Sequence, residues 1–295
     1  MERRKLKASY FFFVNLLILS MFLSIVSTEP VPPWVKKGTV LVYEGEASSI
    51  TFFNRSLIPK QLLNLPGVSV TGGSAIVSLY FNKSEPIRLL LVVNKVEGTM
   101  GLVNVTLEIG PFSSSTNLTV DFSKRDVFLM KGVPLGKTII WIPPCKNGDI
   151  IQYVGDKTSA VFASVSSSYA SRLTPKGRQD ALSVSTIDDK YEGIFLNKSM
   201  TTTEAQSSKY FNPRINYYDA DTFVLIDGRL DQDAFISAFG IILLNTFFHL
   251  TYTNIDLGPP ELLSTLVYIL SYVVLVVAII GVPLYVFLIR KKRAS

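Results

Sequence analysis

Residues 102–109 read Leu-Val-Asn-Val-Thr-Leu-Glu-Ile, and from the second of them onward every other side chain is apolar. The apolar positions are Val103, Val105, Leu107 and Ile109. Successive side chains of a strand point to opposite faces of a sheet, so this alternation predicts a strand with one buried and one solvent-facing side. Residues 117–122 and 75–82 repeat the pattern on either side, which predicts a sheet.

Short apolar or alternating runs occupy much of the rest of the chain. They are residues 39–43, 87–93, 127–130, 138–142, 150–154, 160–165, 181–186, 194–196, 223–227 and 235–252. Glycine, proline and Gly-Asp pairs separate them, as turn residues do. Residues 58–65 predict one short helical turn, and the Ser-rich residues 166–179 predict a loop or a long hairpin tip. We therefore expect a mainly β fold, an antiparallel sheet that forms a half-barrel or a sandwich.

Five Asn-x-Ser/Thr triplets are candidate N-glycosylation sites. Their asparagines are Asn54, Asn82, Asn104, Asn117 and Asn197. In the predicted strands, Asn82, Asn104 and Asn117 alternate with apolar residues, so all three belong to the polar face. A glycan needs an outward-facing asparagine, and the triplets therefore agree with the strand assignment.

The 28 residues between Glu261 and Arg290 carry no charge and are mostly apolar. As a helix they would extend about 42 Å, against roughly 30 Å of bilayer hydrocarbon. Residues 261–289 are thus predicted to be a transmembrane helix. Four cations follow at once and are typical of a stop-transfer signal in a cytoplasmic tail, residues 290–295; they are Arg290, Lys291, Lys292 and Arg293.

A second apolar run lies at the N-terminus. Basic residues within positions 1–7 precede it, and a proline-rich lead-in, residues 29–37, follows it. Residues 1–28 fit a secretory signal peptide, while the length of the apolar run also fits a permanent signal anchor. Either assignment places residues 38–260 outside the cytoplasm.

The net charge of +6 belongs to the two ends of the chain. Residues 1–7 contribute +3 and the C-terminal tail +4, which leaves 21 basic and 22 acidic residues between them. The middle of the chain is therefore nearly neutral, and nucleic acid is not an expected partner. Positively charged flanks of membrane segments stay in the cytoplasm, so the charges agree with the predicted topology.

Few side chains suggest chemistry. Cys145 and His249 are the sole residues of their kinds, so a disulfide within the chain, a cysteine-based zinc site and a multi-histidine metal site are excluded. The run from Gly132 to Thr138 has three residues between its glycines, where a phosphate-binding loop needs four, and a strand is expected after it. We predict no catalytic, cofactor-binding or metal-binding residue, and no cofactor.

Acidic residues 219, 221, 227, 231 and 233 lie close together in sequence. Oxygen-rich clusters can hold calcium, but the spacing of an EF-hand is absent. Aspartate is also an ordinary turn residue that accepts hydrogen bonds from its own backbone. We therefore expect turn chemistry here.

Three segments of the sequence resemble motifs of a known group of proteins. Residues 136–151 read G-K-T-I-I-W-I-P-P-C-K-N-G-D-I-I, residues 217–227 read Y-Y-D-A-D-T-F-V-L-I-D, and residues 250–255 read L-T-Y-T-N-I. They resemble the W-x-I-P…G-D, hairpin and closing-strand motifs of archaeal single-span proteins that carry an extracytoplasmic β domain. Phe223 stands where that hairpin usually has glycine. The resemblance implies an architecture and a compartment, not an activity.

Together these features predict a single-pass cell-surface protein with a β-rich outward domain in a binding, structural or accessory role. Its expected partners are the lipid bilayer and other envelope or membrane proteins. One alternative is a half-barrel that binds lipid or another hydrophobic solute, which would require a continuous apolar cavity of roughly 300 Å³ or more. The other is an extracytoplasmic hydrolase, which would require a nucleophile and base, or two carboxylates, converging in a cleft. The sequence leaves the oligomeric state open.

Overall fold

The computed structural model describes residues 30–154, 161–186, 215–230, 233–243 and 246–257, with residue 270. Almost all regular structure in these ranges is antiparallel β-strand. The strands are Val40–Phe52 (β1), Val68–Gly72 (β2), Val77–Glu97 (β3), Met100–Ile109 (β4), Phe112–Asp121 (β5), Asp126–Leu129 (β6), Pro134–Lys137 (β7), Ile150–Val154 (β8), Val161–Thr174 (β9), Gly177–Thr186 (β10), Ile215–Asp219 (β11), Leu225–Arg229 (β12), Ile241–Ile242 (β13) and Phe247–Thr253 (β14). A 3₁₀ turn, Arg55–Leu57, and two helices, Lys60–Leu63 (α1) and Ala234–Ser237 (α2), complete them.

The strands form one sheet in the order β7-β6-β5-β4-β3-β1-β14-β12-β11-β10-β9-β8. The short strands β2 and β13 lie off this path, beside β3 and β1. Strands β3 to β7 follow one another as a meander, and so do β8 to β12. The last strand, β14, lies between the two meanders, with β1 on one side and β12 on the other.

The sheet curls until its two edges approach each other. Arg125, in the turn before β6, donates to the main-chain carbonyls of Gln152 and Tyr153 in β8. The same guanidinium donates at 3.5 Å to the carbonyl of Thr138, just after β7. The fold is therefore a nearly closed, barrel-like sheet, and not a sandwich of two sheets.

Alternate side chains of the long strands fill the interior. In β4 the inward positions are the four predicted from the sequence, and each is buried: Val103, Val105, Leu107 and Ile109. Leu118, Val120 and Phe122 are buried beside them, as their alternation predicted. The neighbouring strands contribute in the same way, and a single apolar cluster results.

Residues 138–142, predicted to be a strand of the sheet, instead lie against its concave face. Ile139, Ile140, Trp141 and Ile142 are all buried, and the segment is joined to the start of β12 by hydrogen bonds from the Leu225 amide to the Ile140 carbonyl and from the Ile142 amide to the Phe223 carbonyl. A short apolar run is equally suited to a buried strand and to a core-filling segment, so periodicity could not separate them. Gly136, one of the glycines expected to separate strands, instead belongs to β7.

The predicted strand 235–252 is two elements. Residues 234–237 form helix α2, which the Asp233 carboxylate caps by accepting from the Phe235 amide at 2.8 Å. Only the second part, β14, is a long strand. The helical turn expected within residues 58–65 is confirmed as α1. The Ser-rich residues 166–179, predicted to be a loop or a long hairpin tip, belong to the β9–β10 hairpin.

The lead-in segment docks on the end of the sheet. The Trp34 indole packs edge-on against Trp141, with 5.7 Å between ring centroids, and donates at 2.9 Å to the Thr222 carbonyl. Of the helices that the structure describes, none has the length and apolar character of a membrane span. The predicted segments 1–28, 261–289 and 290–295, and the predicted strand 194–196, lie outside the described residues, residue 270 excepted.

Candidate functional site

A row of charged side chains crosses the outer face of the sheet at one level. The β-sheet register places Asp227 opposite His249, His249 opposite Glu44, Glu44 opposite Arg88, and Arg88 opposite Glu108. These residues come from five adjacent strands, β12, β14, β1, β3 and β4. We call this set, extended by Arg172 as described below, the charged row.

Asp227 and His249 form the centre of the charged row. Nδ1 of the imidazole lies 3.1 Å from Oδ1 of the carboxylate, and the His249 side chain is 62% exposed. Nδ1 of the ring therefore faces Asp227, although Oδ1 of this carboxylate has no hydrogen-bond partner among the described residues.

Ion pairs extend the row in both directions. Arg88 lies between two carboxylates, 3.6 Å from Glu44 and 3.3 Å from Glu108. At the other end, Nε of Arg172 lies 3.9 Å from Asp227. The Arg172 guanidinium also stacks on the Tyr217 ring, 3.5 Å from its centroid. The row therefore alternates arginines and carboxylates on either side of His249, over much of the sheet's width.

These pairs contribute little to folding. Most of the side chains are a third or more exposed, and solvent-exposed ion pairs are worth about 0–1 kcal/mol each because water screens them. An alternating charge pattern of this kind instead favours specific recognition, since a partner must present the complementary pattern.

Aromatic side chains on β14 lie next to the row. Phe247 is 47% exposed two residues before His249, and the Arg229 guanidinium lies 4.9 Å from the centroid of its ring. Tyr252 is also exposed on this strand. Exposed aromatics and arginine are the residue types most enriched in binding hot spots. We call Arg172, Tyr217, Arg229, Phe247, His249 and Tyr252, with Asp227, the β14 patch.

Close contact between β1 and β14 builds this surface. A Cβ at Gly45 would lie 2.1 Å from the Phe247 carbonyl oxygen, so no larger residue fits without a shift of the backbone. Glycine at this position allows β14 to pack against β1 with Glu44 and His249 side by side.

A second polar cluster is buried on the concave side. The Asp233 carboxylate accepts from the Thr138 hydroxyl at 2.7 Å and from the Ile139 amide at 2.6 Å. Burial raises the pKa of Asp233 to about 6, although its hydrogen bonds and the Arg125 charge act in the opposite direction. Close by, the Tyr153 and Tyr218 hydroxyls lie 2.8 Å apart, and Tyr218 donates to the Ile139 carbonyl. The bonds of Asp233 and Tyr218 hold Thr138 and Ile139 against α2 and β11, and the Tyr153–Tyr218 contact joins β8 to β11, so the role of the cluster is structural.

The other aspartates considered from the sequence behave as turn residues. The Asp219 carboxylate accepts from the amide and the hydroxyl of Thr222, both at 2.7 Å, and burial raises its pKa. Asp221 lies in the same turn, whereas Asp231 is outside the described residues. No three His, Cys, Asp or Glu side chains of the described part of the chain are grouped to hold a metal ion.

Phe223 takes a backbone φ of +60°, in the left-handed region that favours glycine. This is the position at which the archaeal hairpin motif usually has glycine. The turn between β11 and β12 thus has a backbone conformation that favours glycine, although a bulky residue occupies it. The packing of the Phe223 ring against the core offsets the energetic cost of this conformation.

The lone thiol is poorly suited to nucleophilic chemistry. Cys145 is half-buried, and burial together with Asp149 raises its pKa to about 11. A thiol of this kind is almost entirely protonated near neutral pH, and the thiolate is the reactive form.

The described candidate glycosylation sites lie on the surface. Asn54, Asn82 and Asn117 are exposed and Asn104 is half-exposed, while Asn197 lies outside the described residues. Asn104 and Asn117 are direct partners across β4 and β5, with a 3.0 Å hydrogen bond between their side chains. Their predicted outward orientation is confirmed.

Sequence reasoning considered His249 and Asp227 but did not join them, and it missed Arg172, Glu44, Arg88 and Glu108. The alternation of apolar and polar residues in β1, β3 and β4 could have placed Glu44, Arg88 and Glu108 on the outer face. It could not have shown which residues are paired between neighbouring strands. No protein-family model matches this chain, and no curated protein or solved structure matches it.

Proposed function

We propose that the chain is a membrane-anchored cell-surface protein that binds another envelope or membrane protein through the β14 patch. In this proposal residues 261–289 span the bilayer, residues 290–295 are cytoplasmic, and residues 38–260 lie outside. The anchorage is inferred from the uncharged 28-residue run and the four cations after it. The likeness to archaeal single-span surface proteins agrees with it.

We choose the β14 patch as the binding surface because the Asn-x-Ser/Thr sequons are unequally distributed over the outer face of the sheet. Among the described residues, Asn82, Asn104 and Asn117 lie on β3, β4 and β5, and Asn54 lies beyond the end of β1. Glycans at these positions would cover that half of the outer face. The β14 patch lies on the other half, where its aromatic and charged side chains stay accessible to a protein.

The alternative functions receive less support. The concave face, where a hydrophobic solute would bind, is covered by residues 138–142 and by Phe235 of α2, which packs near Trp141. A hydrolase would need a nucleophile at the Asp227–His249 pair. Within the described residues, no serine, threonine or cysteine side chain is hydrogen-bonded to that imidazole.

Two measurements on the full-length chain test the proposal. A protease added outside intact cells should digest the β domain and leave a tag placed after Ser295 protected. Purification in a gentle detergent, followed by mass spectrometry, should recover a partner with the wild-type protein and lose it with Phe247→Ala. Tyr80→Ala is the matched control, because Tyr80 is an aromatic residue of β3 that is 48% exposed. Cytoplasmic exposure of the β domain, or equal recovery of the partner with both variants, would refute the proposal.

A further inference from the structure

The start of β1 and the end of β14 lie together at one end of the sheet. Asn254 accepts from the Val40 amide at 2.9 Å and donates to the Gly38 carbonyl at 2.8 Å. The first strand therefore begins where β14 ends. We call this the exit end, because the chain leaves it after Leu257 towards the predicted membrane span.

The β9–β10 hairpin extends to the same end. Nζ of Lys176, in its two-residue turn, lies 3.6 Å from the Asp256 carboxylate. Thr174 fixes the turn, since its hydroxyl donates to the Gly177 carbonyl at 2.8 Å and accepts from the Lys176 amide at 3.1 Å. The tip is thus an ordered projection beside the last residues of the described fold.

The composition of this tip is that of an interfacial anchor. Leu173 is 77% exposed, and Arg178 is its direct partner across the hairpin. Lys176 completes a small group of one protruding apolar side chain and two cations. Long basic side chains of this kind extend their charges into lipid headgroups while their stems cover apolar surface. The ion pair of Lys176 does not prevent this, because Asp256 is 94% exposed and the pair is well screened.

The distance to the membrane is short. Four residues separate Leu257 from the start of the uncharged run at position 262, and the five extended steps between these positions reach at most about 18 Å. The headgroup region adds roughly 6 Å on each side of the hydrocarbon core. A tip that touches Asp256 is therefore within reach of the headgroups of the bilayer in which the chain is anchored.

We propose that residues 173–178 are a second membrane contact, in which Leu173 enters the interfacial region and Lys176 and Arg178 bind anionic phospholipid headgroups. This inference rests on the membrane anchorage in the proposed function. The contact would fix the orientation of the barrel over the bilayer and keep the β14 patch directed sideways, along the membrane plane.

The experiment uses the full-length chain in nanodiscs of phosphatidylcholine and phosphatidylglycerol in equal parts. An environment-sensitive fluorophore is attached at Leu173→Cys in a Cys145→Ala background, and brominated lipids are used as quenchers. Tyr80→Cys is the control, because Tyr80 pairs with Ser49 of β1, nine residues and about 30 Å along the strand from Val40. We expect bromolipid to quench the label at position 173 and to leave the label at position 80 unchanged.

The outcomes separate the two proposals. Failure of the chain to co-elute with the nanodisc lipid would refute the anchorage itself. Co-elution with an unquenched label at position 173, or with equal quenching at both positions, would refute the tip contact and leave the anchorage in place. Lys176→Glu with Arg178→Glu should reduce quenching in the mixed bilayer and much less in pure phosphatidylcholine. Equal reduction in both bilayers would overturn the assignment of anionic headgroups.

Discussion

The Arg125 guanidinium donates a hydrogen bond of 3.1 Å to the main-chain carbonyl of Tyr153, and so joins the two edges of the sheet. Arg125 is buried, and it adopts a left-handed backbone with a φ of 62° to reach these carbonyls. Hydrogen bonds from a charged donor are worth about 1.5–3 kcal/mol each, more than neutral ones. The Arg125 side chain thus contributes to the pairing of the edges.

Arg125→Met should lower the free energy of unfolding by about 3 kcal/mol, because it leaves buried carbonyls without their charged donor. Urea denaturation of the full-length chain in detergent measures the change. The control is Lys124→Met, since the Lys124 side chain is 68% exposed, and we expect a loss below about 0.5 kcal/mol there. Equal losses for the two variants would contradict a role of Arg125 in joining the edges.

Gly45→Ala should destabilise the β1–β14 pair by roughly 1–3 kcal/mol, because the new methyl group would overlap the Phe247 carbonyl oxygen. It should also weaken partner binding, since the β14 patch depends on this pairing. Gly73→Ala is the matched control, as a Cβ there meets no atom within 4 Å. Thermal unfolding and partner recovery are the two measurements, and unchanged values for Gly45→Ala would rule out the close contact.

The stability of the fold should depend on Asp233 in mildly acidic solution. The folded pKa of about 6 lies above the ordinary value of 3.8, so the folded state holds the proton more tightly than the unfolded state. The contribution of Asp233 to the free energy of unfolding is fully present below about pH 4. It is lost as the pH rises towards 6, and the total loss is about 3 kcal/mol at most.

Denaturation of the wild type and of Asp233→Asn across this pH range tests the assignment. The variant should be less stable overall, because an amide has one acceptor oxygen: if that oxygen accepts from Thr138 and Ile139, the NH2 group faces the Phe235 amide and cannot accept from it. The free energy of unfolding of Asp233→Asn should also lack the decrease that the wild type shows between pH 4 and 6. Parallel stability curves for the two proteins would show that Asp233 is not the titrating group.

Asn104→Gln and Asn117→Gln should each remove the mass of one glycan from protein isolated from its native membrane. Both side chains are on the outer face, so either change should cost less than about 1 kcal/mol of stability. Intact-protein mass spectrometry decides the point. Thr106→Ser is the control, since it preserves the Asn104 sequon and should leave the mass of the glycans unaltered. A wild-type mass without glycan would refute the modification.

The strands that could be predicted are those with a long alternation and one buried face. Residues 102–109 and 117–122 have such a pattern. The first range lies within β4 and the second within β5 except for its last residue, and the expected faces point inward. Residues 138–142 lack such alternation. Their apolar run predicted a strand, but in the structure it packs against the concave face of the sheet. Helix α2 escaped prediction because it is a single turn whose start is set by the buried Asp233 cap.

The charged row could not be read from the sequence, because it depends on register. Arg88 and Glu108 are 20 residues apart, whereas Glu44 and His249 come from opposite ends of the domain. A shift of β14 by one residue against β1 would turn His249 to the other face and remove it from the row. Alternation gives the face of each residue, and only the pairing of distant strands shows which residues meet.

The central position of β14 has a consequence for synthesis. The first and last of the described strands are neighbours, so the sheet is not continuous between β1 and β12 until the ribosome has translated residue 253. Until then β1 and β12 each present an unpaired edge, which is a template for aggregation. Pairings this distant in sequence also form slowly. A nascent chain of this protein should therefore need a chaperone until its final strand arrives, shortly before the segment predicted to enter the bilayer.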